Sequence, residues 1–140
     1  MANELDPGVV AEYEAIFTHG DSGPHLSNDL AVMARESERR HRDLRDRVTG
    51  WLSQQDIDAP AMQPVYSLPV EPVDAETAIE AITLAEQRCT QAWRSVLADA
   101  EGETRRVAVE ALAESAIAEA RWRRALKQSP STVPFPGRSQ

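Results

Sequence analysis

The sequence is poor in the residues that form covalent cross-links and metal clusters. Cys89 is the only cysteine among 140 residues, which excludes an intrachain disulfide and any metal site built from several thiolates. Three histidines are left as candidate nitrogen ligands for a metal ion. The sequence also lacks a glycine-rich phosphate loop and a nucleophile elbow, so two common kinds of active site are excluded.

Long apolar runs and positive charge are scarce as well. No run reaches the roughly 18 apolar residues of a membrane-spanning helix, and residues 1–7 have neither the basic nor the apolar part of a secretion signal. We therefore expect a cytoplasmic protein without a membrane segment. The chain has 23 acidic and 15 basic side chains and a net charge of −8, which argues against nucleic acid as a partner.

The composition suits one folded domain spanning residues 1–140, with 41% hydrophobic and 27% charged residues. Nine prolines leave two long uninterrupted stretches, 25–59 and 73–129, which must contain the long helices. Apolar residues at steps of three and four predict an all-α chain. The predicted helices cover about 7–19, 28–54, 75–99 and 103–128, followed by an extended tail over 129–140.

The connections between the predicted helices indicate how the chain is arranged. The last two helices are joined by only a few residues around Gly102, so they must run antiparallel. Residues 55–73 contain four prolines and no glycine, which favours an extended segment long enough to return along the whole bundle. One such Pro-rich crossover between the second and third helices predicts a ferritin-like four-helix bundle.

Several polar residues fall on or beside the predicted core face. Glu38 and His41 form a Glu-x-x-His pair on the second helix, and Glu86 lies in the middle of the apolar stripe of the third. Together with Glu12 on the first helix, they could hold one iron or manganese ion in a mixed carboxylate and histidine site. A symmetric di-iron site needs a second Glu-x-x-His, and no histidine follows His41.

The alternative is that His41 and Glu86 form a buried hydrogen-bonded pair, with Ser37 and Ser115 filling narrow layers of the core. In that case the protein has no cofactor and acts as a non-enzymatic bundle through contacts with a protein partner that the sequence does not name. The metal interpretation would instead give a metal-binding oxidoreductase or a metal-storage protein.

Other conspicuous residues have simpler interpretations. Arginines alternate with acidic residues at steps of three and four along the second helix, which predicts a solvated face with weak ion pairs. The three tryptophans stand on apolar stripes, which favours core or dimer anchors over a cofactor site. The arginines are Arg35, Arg39, Arg40, Arg42, Arg45 and Arg47, and the tryptophans are Trp51, Trp93 and Trp122.

A series of short motifs resembles an uncharacterised bacterial family of ferritin-like domains, over about residues 6–137. The most distinctive are a tyrosine inside a proline pair in the crossover and a phenylalanine-proline-glycine sequence in the tail. In order, the motifs are Ala11-Glu12 before Ala15-Ile16, His41-Arg42 with Arg45-Asp46, Pro64-Val65-Tyr66-Ser67-Leu68-Pro69, Ala92-Trp93-Arg94, Ala120-Arg121-Trp122-Arg123 and Phe135-Pro136-Gly137.

The resemblance implies a ferritin-like four-helix bundle and no established activity. It places Glu12 and His41 at the family's glutamate on the first helix and histidine on the second. Members often carry a histidine directly after that glutamate, where this chain has Tyr13. This departure weakens the prediction of a metal site.

Unequal helix lengths predict self-association. The first predicted helix is roughly 20 Å long and the others are nearly 40 Å, so one groove of the bundle is half filled. The crossover or the tail could fill this groove. Otherwise apolar residues such as Trp51, Leu52 and Leu126 are exposed at one end of the bundle. Exposed apolar patches usually mark an interface, and most soluble oligomers are two-fold, so we expect a homodimer.

Overall fold

The structure is a computed structural model that describes residues 26–58 and 69–138. These residues form three α-helices: α1 (Asn28–Gln54), α2 (Ala75–Asp99) and α3 (Gly102–Ala125). No strand occurs among the described residues, which confirms the prediction of an all-α chain for this part of the sequence. The predicted first helix, with Glu12, lies outside the described residues, and so does the middle of the predicted crossover, 59–68.

Helix α1 presents one buried face with the spacing expected from its sequence. The buried residues follow at steps of three and four, and two of them, Ser37 and His41, are polar. Ser27 is the N-cap residue, but its side chain makes no capping hydrogen bond. The buried residues of α1 are Ala34, Ser37, His41, Leu44 and Val48.

Helix α2 begins with a complete capping box. The Asp74 carboxylate accepts a hydrogen bond from the backbone N–H of Thr77 at 2.8 Å, and the backbone N–H of Asp74 donates to the Thr77 hydroxyl at 3.0 Å. These bonds satisfy two of the backbone donors that a helix start leaves open. They also hold the pKa of Asp74 below its ordinary value.

Helix α3 is offset from its predicted range of 103–128. It starts at Gly102, whose φ of +53° is a left-handed conformation that glycine adopts without strain. It ends at Ala125, because the backbone N–H groups of Lys127 and Gln128 turn back to the carbonyls of Arg124 and Arg123. This pair of bonds is a Schellman motif, and it stops the helix three residues early.

The same motif ends α1 without a glycine. The backbone N–H of Ile57 donates to Leu52 and that of Asp56 donates to Ser53, with Asp56 at φ +55°. Because Asp56 and Lys127 take the position that glycine usually occupies, neither helix end carries the expected sequence signal.

One core contains residues of all three helices. Only two residues, Ala100 and Glu101, separate α2 from α3, so these helices form an antiparallel hairpin that packs closely. Alanines dominate the hairpin and allow this approach. The buried apolar residues that pack together in this core are Ala34, Leu44, Val48, Ala78, Ile79, Ile82, Ala85, Cys89, Trp93, Ala108, Ala111, Ala118 and Trp122.

The tail after α3 is non-helical as far as residue 138 and lies against α2. The Arg94 guanidinium donates to the backbone carbonyl of Pro136 at 3.1 Å. Gly137 has φ +77°, and a Cβ at that position would overlap the backbone oxygen of Thr90. Glycine is therefore the residue that allows the tail to approach the helix so closely.

The residues expected to be exposed at the bundle end are only partly so. Trp51, Leu52 and Leu126 are half-buried, and the last two pack against the core. Among the described residues, the exposed large apolar side chains are Val32, Ile57, Val73, Val109, Ile117 and Phe135. None of the described helices is long and apolar enough to cross a membrane.

Candidate functional site

His41 and Glu86 meet in the middle of the core. The stripes of α1 and α2 bring them together, with Nε2 of His41 lying 3.1 Å from Oε1 of Glu86. Both residues have no exposed surface. Burying an ionised carboxylate is costly unless a charged or hydrogen-bonding partner compensates for the lost water.

Arg40 supplies a positive charge to this pair. Its Nη2 atom donates to Oε1 of Glu86 at 2.7 Å and lies 3.0 Å from Nε2 of His41. Its Nη1 atom donates to the backbone carbonyl of Glu114 on α3 at 3.2 Å. The side chain is only 25% exposed, so one guanidinium connects α1 with both other helices.

The chemistry of these groups restricts the hydrogen bonds that His41 can make. A guanidinium only donates and an ionised carboxylate only accepts. A protonated Nε2 can therefore donate to Glu86, whereas a deprotonated Nε2 can accept from Arg40, but one atom cannot do both. For a metal ion bound through Nε2, the lone pair that it needs is the same one that accepts from Arg40.

A second carboxylate lies close to the same cluster. Glu119 on α3 is 3% exposed and is bound by Arg123 one turn later, with Nε of Arg123 donating to Oε1 of Glu119 at 2.9 Å. Burial raises the pKa of Glu119 above its ordinary value, with a smaller contribution from the charge of Glu86. The charge of Arg123 acts in the opposite direction. We call Arg40, His41, Glu86, Glu119 and Arg123 the polar cluster.

The four predicted metal ligands are not all assembled by the described residues. His41 and Glu86 meet, but Glu38 is engaged in an ion pair with Arg42 on its own helix. Glu12 lies outside the described residues. Among residues 26–58 and 69–138, no three His, Cys, Asp or Glu side chains converge as a metal site would require.

On the last helix, Glu119 is followed three residues later by Trp122, where a Glu-x-x-His pair would have a histidine. An indole N–H is a donor that cannot bind a metal. Trp122 is fully buried, and its Nε1 has no hydrogen-bond acceptor among the described residues. The carboxylates of Glu86 and Glu119 each accept from an arginine.

The sequence matches a family described as a domain of unknown function, DUF4439, over residues 5–140. The chain belongs to this family. Comparison with curated proteins gave no match that would assign DUF4439 an activity.

This DUF4439 domain is similar to a solved structure, the crystal structure of a conserved hypothetical protein, rv2844, from Mycobacterium tuberculosis. The TM-score is 0.80 and the sequence identity is 27%, and the alignment covers 89% of this chain and 91% of that chain. The similarity supports a shared fold. A protein described as hypothetical adds no activity, so the cellular role of the DUF4439 domain is unknown.

Two residues of the polar cluster were not expected from the sequence of this DUF4439 domain. The pattern placed Arg40 on a solvated face and predicted no contact for Arg123, whereas both bind buried carboxylates. One signal was available: a carboxylate on an apolar stripe, such as Glu86, needs a cation within reach. Arg40 is adjacent to His41 on α1, the helix that faces Glu86.

Proposed function

We propose that this protein is a ferritin-like four-helix bundle that acts through contacts with other proteins and whose interior carboxylates are neutralised by arginine. In this proposal residues 7–19 form the additional helix and the Pro-rich segment 55–73 is the long crossover. The single observation that carries the proposal is the contact of Arg40 with both Glu86 and His41.

Arg40 supports the proposal because it uses the groups that would otherwise bind a cation. A metal ion held between Oε1 of Glu86 and Nε2 of His41 would need a lone pair from each of these atoms, and the guanidinium lies within 3.0 Å of both. Arg123 plays the same part for Glu119. Two fixed positive charges therefore balance two buried carboxylates.

Metal analysis of the purified full-length chain tests the proposal. After growth with added iron, manganese and zinc, we expect less than one metal ion per chain, and His41→Ala should leave the content unchanged. One tightly bound metal ion per chain that is lost in His41→Ala would contradict the proposal.

A cobalt titration tests the role of the guanidinium directly. Arg40→Gln removes the charge beside Glu86 and His41, so its affinity for Co²⁺ should exceed that of the wild type by at least about tenfold. Arg45→Gln is the matched control, because Arg45 is on the same helix but binds Asp46, which is not a candidate ligand. Equal cobalt affinity of Arg40→Gln and Arg45→Gln would show that Arg40 does not compete with cations.

The alternative function is that of a metal-binding oxidoreductase or metal-storage protein with a mononuclear site for iron or manganese. The observation that favours it is the 3.1 Å separation of His41 and Glu86, two side chains of the kind that bind these metals. Glu12 and Glu38 would be the further ligands. The metal analysis above distinguishes the two functions, because only this one requires stoichiometric metal.

We also propose that the chain is a cytoplasmic homodimer. Helix α3 has an exposed row of apolar residues spaced four apart, formed by Val109, Ala113 and Ile117. Ile117 is 62% exposed. Such a face suits a two-fold contact between copies. The single cysteine suits a reducing compartment.

Light scattering tests the dimer. We expect twice the 15.5 kDa of one chain at micromolar concentration. Ile117→Glu should give the single-chain mass, whereas Val32→Glu, at a 52% exposed position on α1, should not. A wild-type mass of one chain across a hundredfold concentration range would contradict the dimer.

A further inference from the structure

A partly enclosed cavity of about 150 Å³ lies at the end of the bundle next to the turn between α2 and α3. Its walls are apolar and come from all three helices: Val48 and Trp51 on α1, Trp93 and Val96 on α2, and Val107 on α3. The cavity is partly open to solvent, so a small molecule can reach these apolar walls from outside.

The polar residues that line the cavity are Arg47, Glu103 and Thr104. Their charges are compensated by neighbouring side chains. Arg47 and Glu103 contribute to the lining, and both side chains are more than half exposed. Arg106 binds Glu103 and also donates to Glu110 at 2.6 Å, while Arg47 lies 4.0 Å from Glu110. Two positive and two negative groups leave no net charge to attract an ion.

We infer that this cavity, which we call the tryptophan cavity, binds a small neutral apolar molecule about the size of one aromatic ring. An apolar cavity of about this volume accepts a molecule such as benzene, because the ligand replaces missing packing contacts without burying a polar group. Trp51 and Trp93 offer aromatic surface for offset or edge contacts with a ring.

The tryptophan cavity is separate from the polar cluster. Trp93 follows Glu86 by seven residues on α2, which is about two helical turns or roughly 10 Å along the axis. No residue of the polar cluster lines the cavity. Binding at the cavity is therefore independent of the proposed function, and a test of one leaves the other unaffected.

Thermal unfolding of the full-length protein with toluene as the probe tests the inference. A ligand that binds only the folded state raises Tm, by about 4 °C at ten times Kd for a chain of this size. Fluorescence of Trp51 and Trp93 should change over the same concentration range. Benzoate, which has a similar ring but a negative charge, should bind at least about tenfold more weakly because its carboxylate loses water in an apolar cavity.

Cavity-filling variants supply the controls. Val107→Phe places a ring in the cavity, so it should raise Tm without toluene and abolish the toluene shift. Val32→Phe, the same change at a 52% exposed position on α1 that does not line the cavity, should keep the full shift. If Val107→Phe lowers Tm, Val96→Phe fills the cavity from α2 and takes its place.

Three results would overturn the inference. They are an unchanged wild-type Tm up to the solubility limit of toluene, an equal toluene shift in the wild type and the filled variant, and tighter binding of benzoate than of toluene. The last result would assign the cavity to anions through Arg47.

Discussion

The polar cluster and the tryptophan cavity occupy the same interface between three helices, about two helical turns apart. In the polar cluster, long side chains reach inward and each described carboxylate accepts from a guanidinium. In the tryptophan cavity, bulky apolar side chains line the interface but leave about 150 Å³ between them.

The polar cluster and the tryptophan cavity differ because buried charge limits what an interior site can bind. A buried carboxylate such as Glu86 requires a charged or hydrogen-bonding partner. The guanidinium of Arg40 takes this place, and its planar geometry makes the contact specific. Apolar walls require no partner, and the space among them can vary in volume at a moderate cost. Specific pairing therefore belongs to the middle of the interface, and the space that can accept a ligand lies at its end.

The largest effect should come from breaking the polar cluster at Arg40. Arg40→Ala removes the guanidinium that lies 2.7 Å from the fully buried Glu86, and we expect a loss of about 3 kcal/mol in the free energy of unfolding. Arg42→Ala breaks a more exposed pair with Glu38 and should cost only about 0.5 kcal/mol. Urea denaturation at neutral pH measures both losses.

A double variant checks the cause of that loss. In Arg40→Ala combined with Glu86→Gln, the buried charge is gone as well, so more than half of the lost stability should return. Equal losses for Arg40→Ala and Arg42→Ala, or no recovery in the double variant, would show that the contact with Glu86 is unimportant for stability.

A smaller effect is expected at the tryptophan cavity. Val48→Ala removes apolar groups from a residue that is 7% exposed, and we expect a loss of about 1–2 kcal/mol in the free energy of unfolding. The loss stays small because part of the Val48 side chain already faces open space. Urea denaturation measures it, and a loss of more than about 4 kcal/mol would indicate a tightly packed site without a cavity.

The placement of His41 and Glu86 in the core could be predicted from the sequence, because helical periodicity alone decides which residues share a face. The contact with Arg40 could not. An arginine side chain is long enough to leave the face on which its Cα stands, so periodicity does not determine where its charge lies. Arg123 and Glu119 differ from this case, because they lie one turn apart on α3 at a spacing that the sequence does show.

The exact helix ends and the cavity could not be predicted from the sequence either. Asp56 and Lys127 close their helices in a conformation that the sequence signals only when glycine is present. The volume of the tryptophan cavity depends on how three helices approach one another, and a pattern of apolar residues does not contain those distances. The stripe did place Trp51 and Trp93 on the faces from which they line the cavity.

The smallest effect should be a change in pH dependence at Glu119. Burial raises the pKa of this carboxyl above its ordinary value of 4.5. Between 4.5 and the raised pKa, the folded protein binds more protons at this site than the unfolded chain does. The contribution of Glu119 to stability therefore falls as the pH rises through that window. At higher pH, where the carboxyl is ionised, the fold is less stable than it is with the protonated carboxyl at low pH.

Glu119→Gln removes this titration and keeps the size of the side chain. The stability of the wild type minus that of Glu119→Gln should therefore be larger at pH 4.5 than at pH 7, when both are measured by urea denaturation. Glu114→Gln, at an exposed position on the same helix, is the control for the loss of one negative charge. The effect should be small because Arg123 offsets part of the cost of burying the charge. A difference that grows as the pH rises would mean that the ion pair with Arg123 outweighs burial, and the polar cluster would then stabilise the fold through both of its arginines.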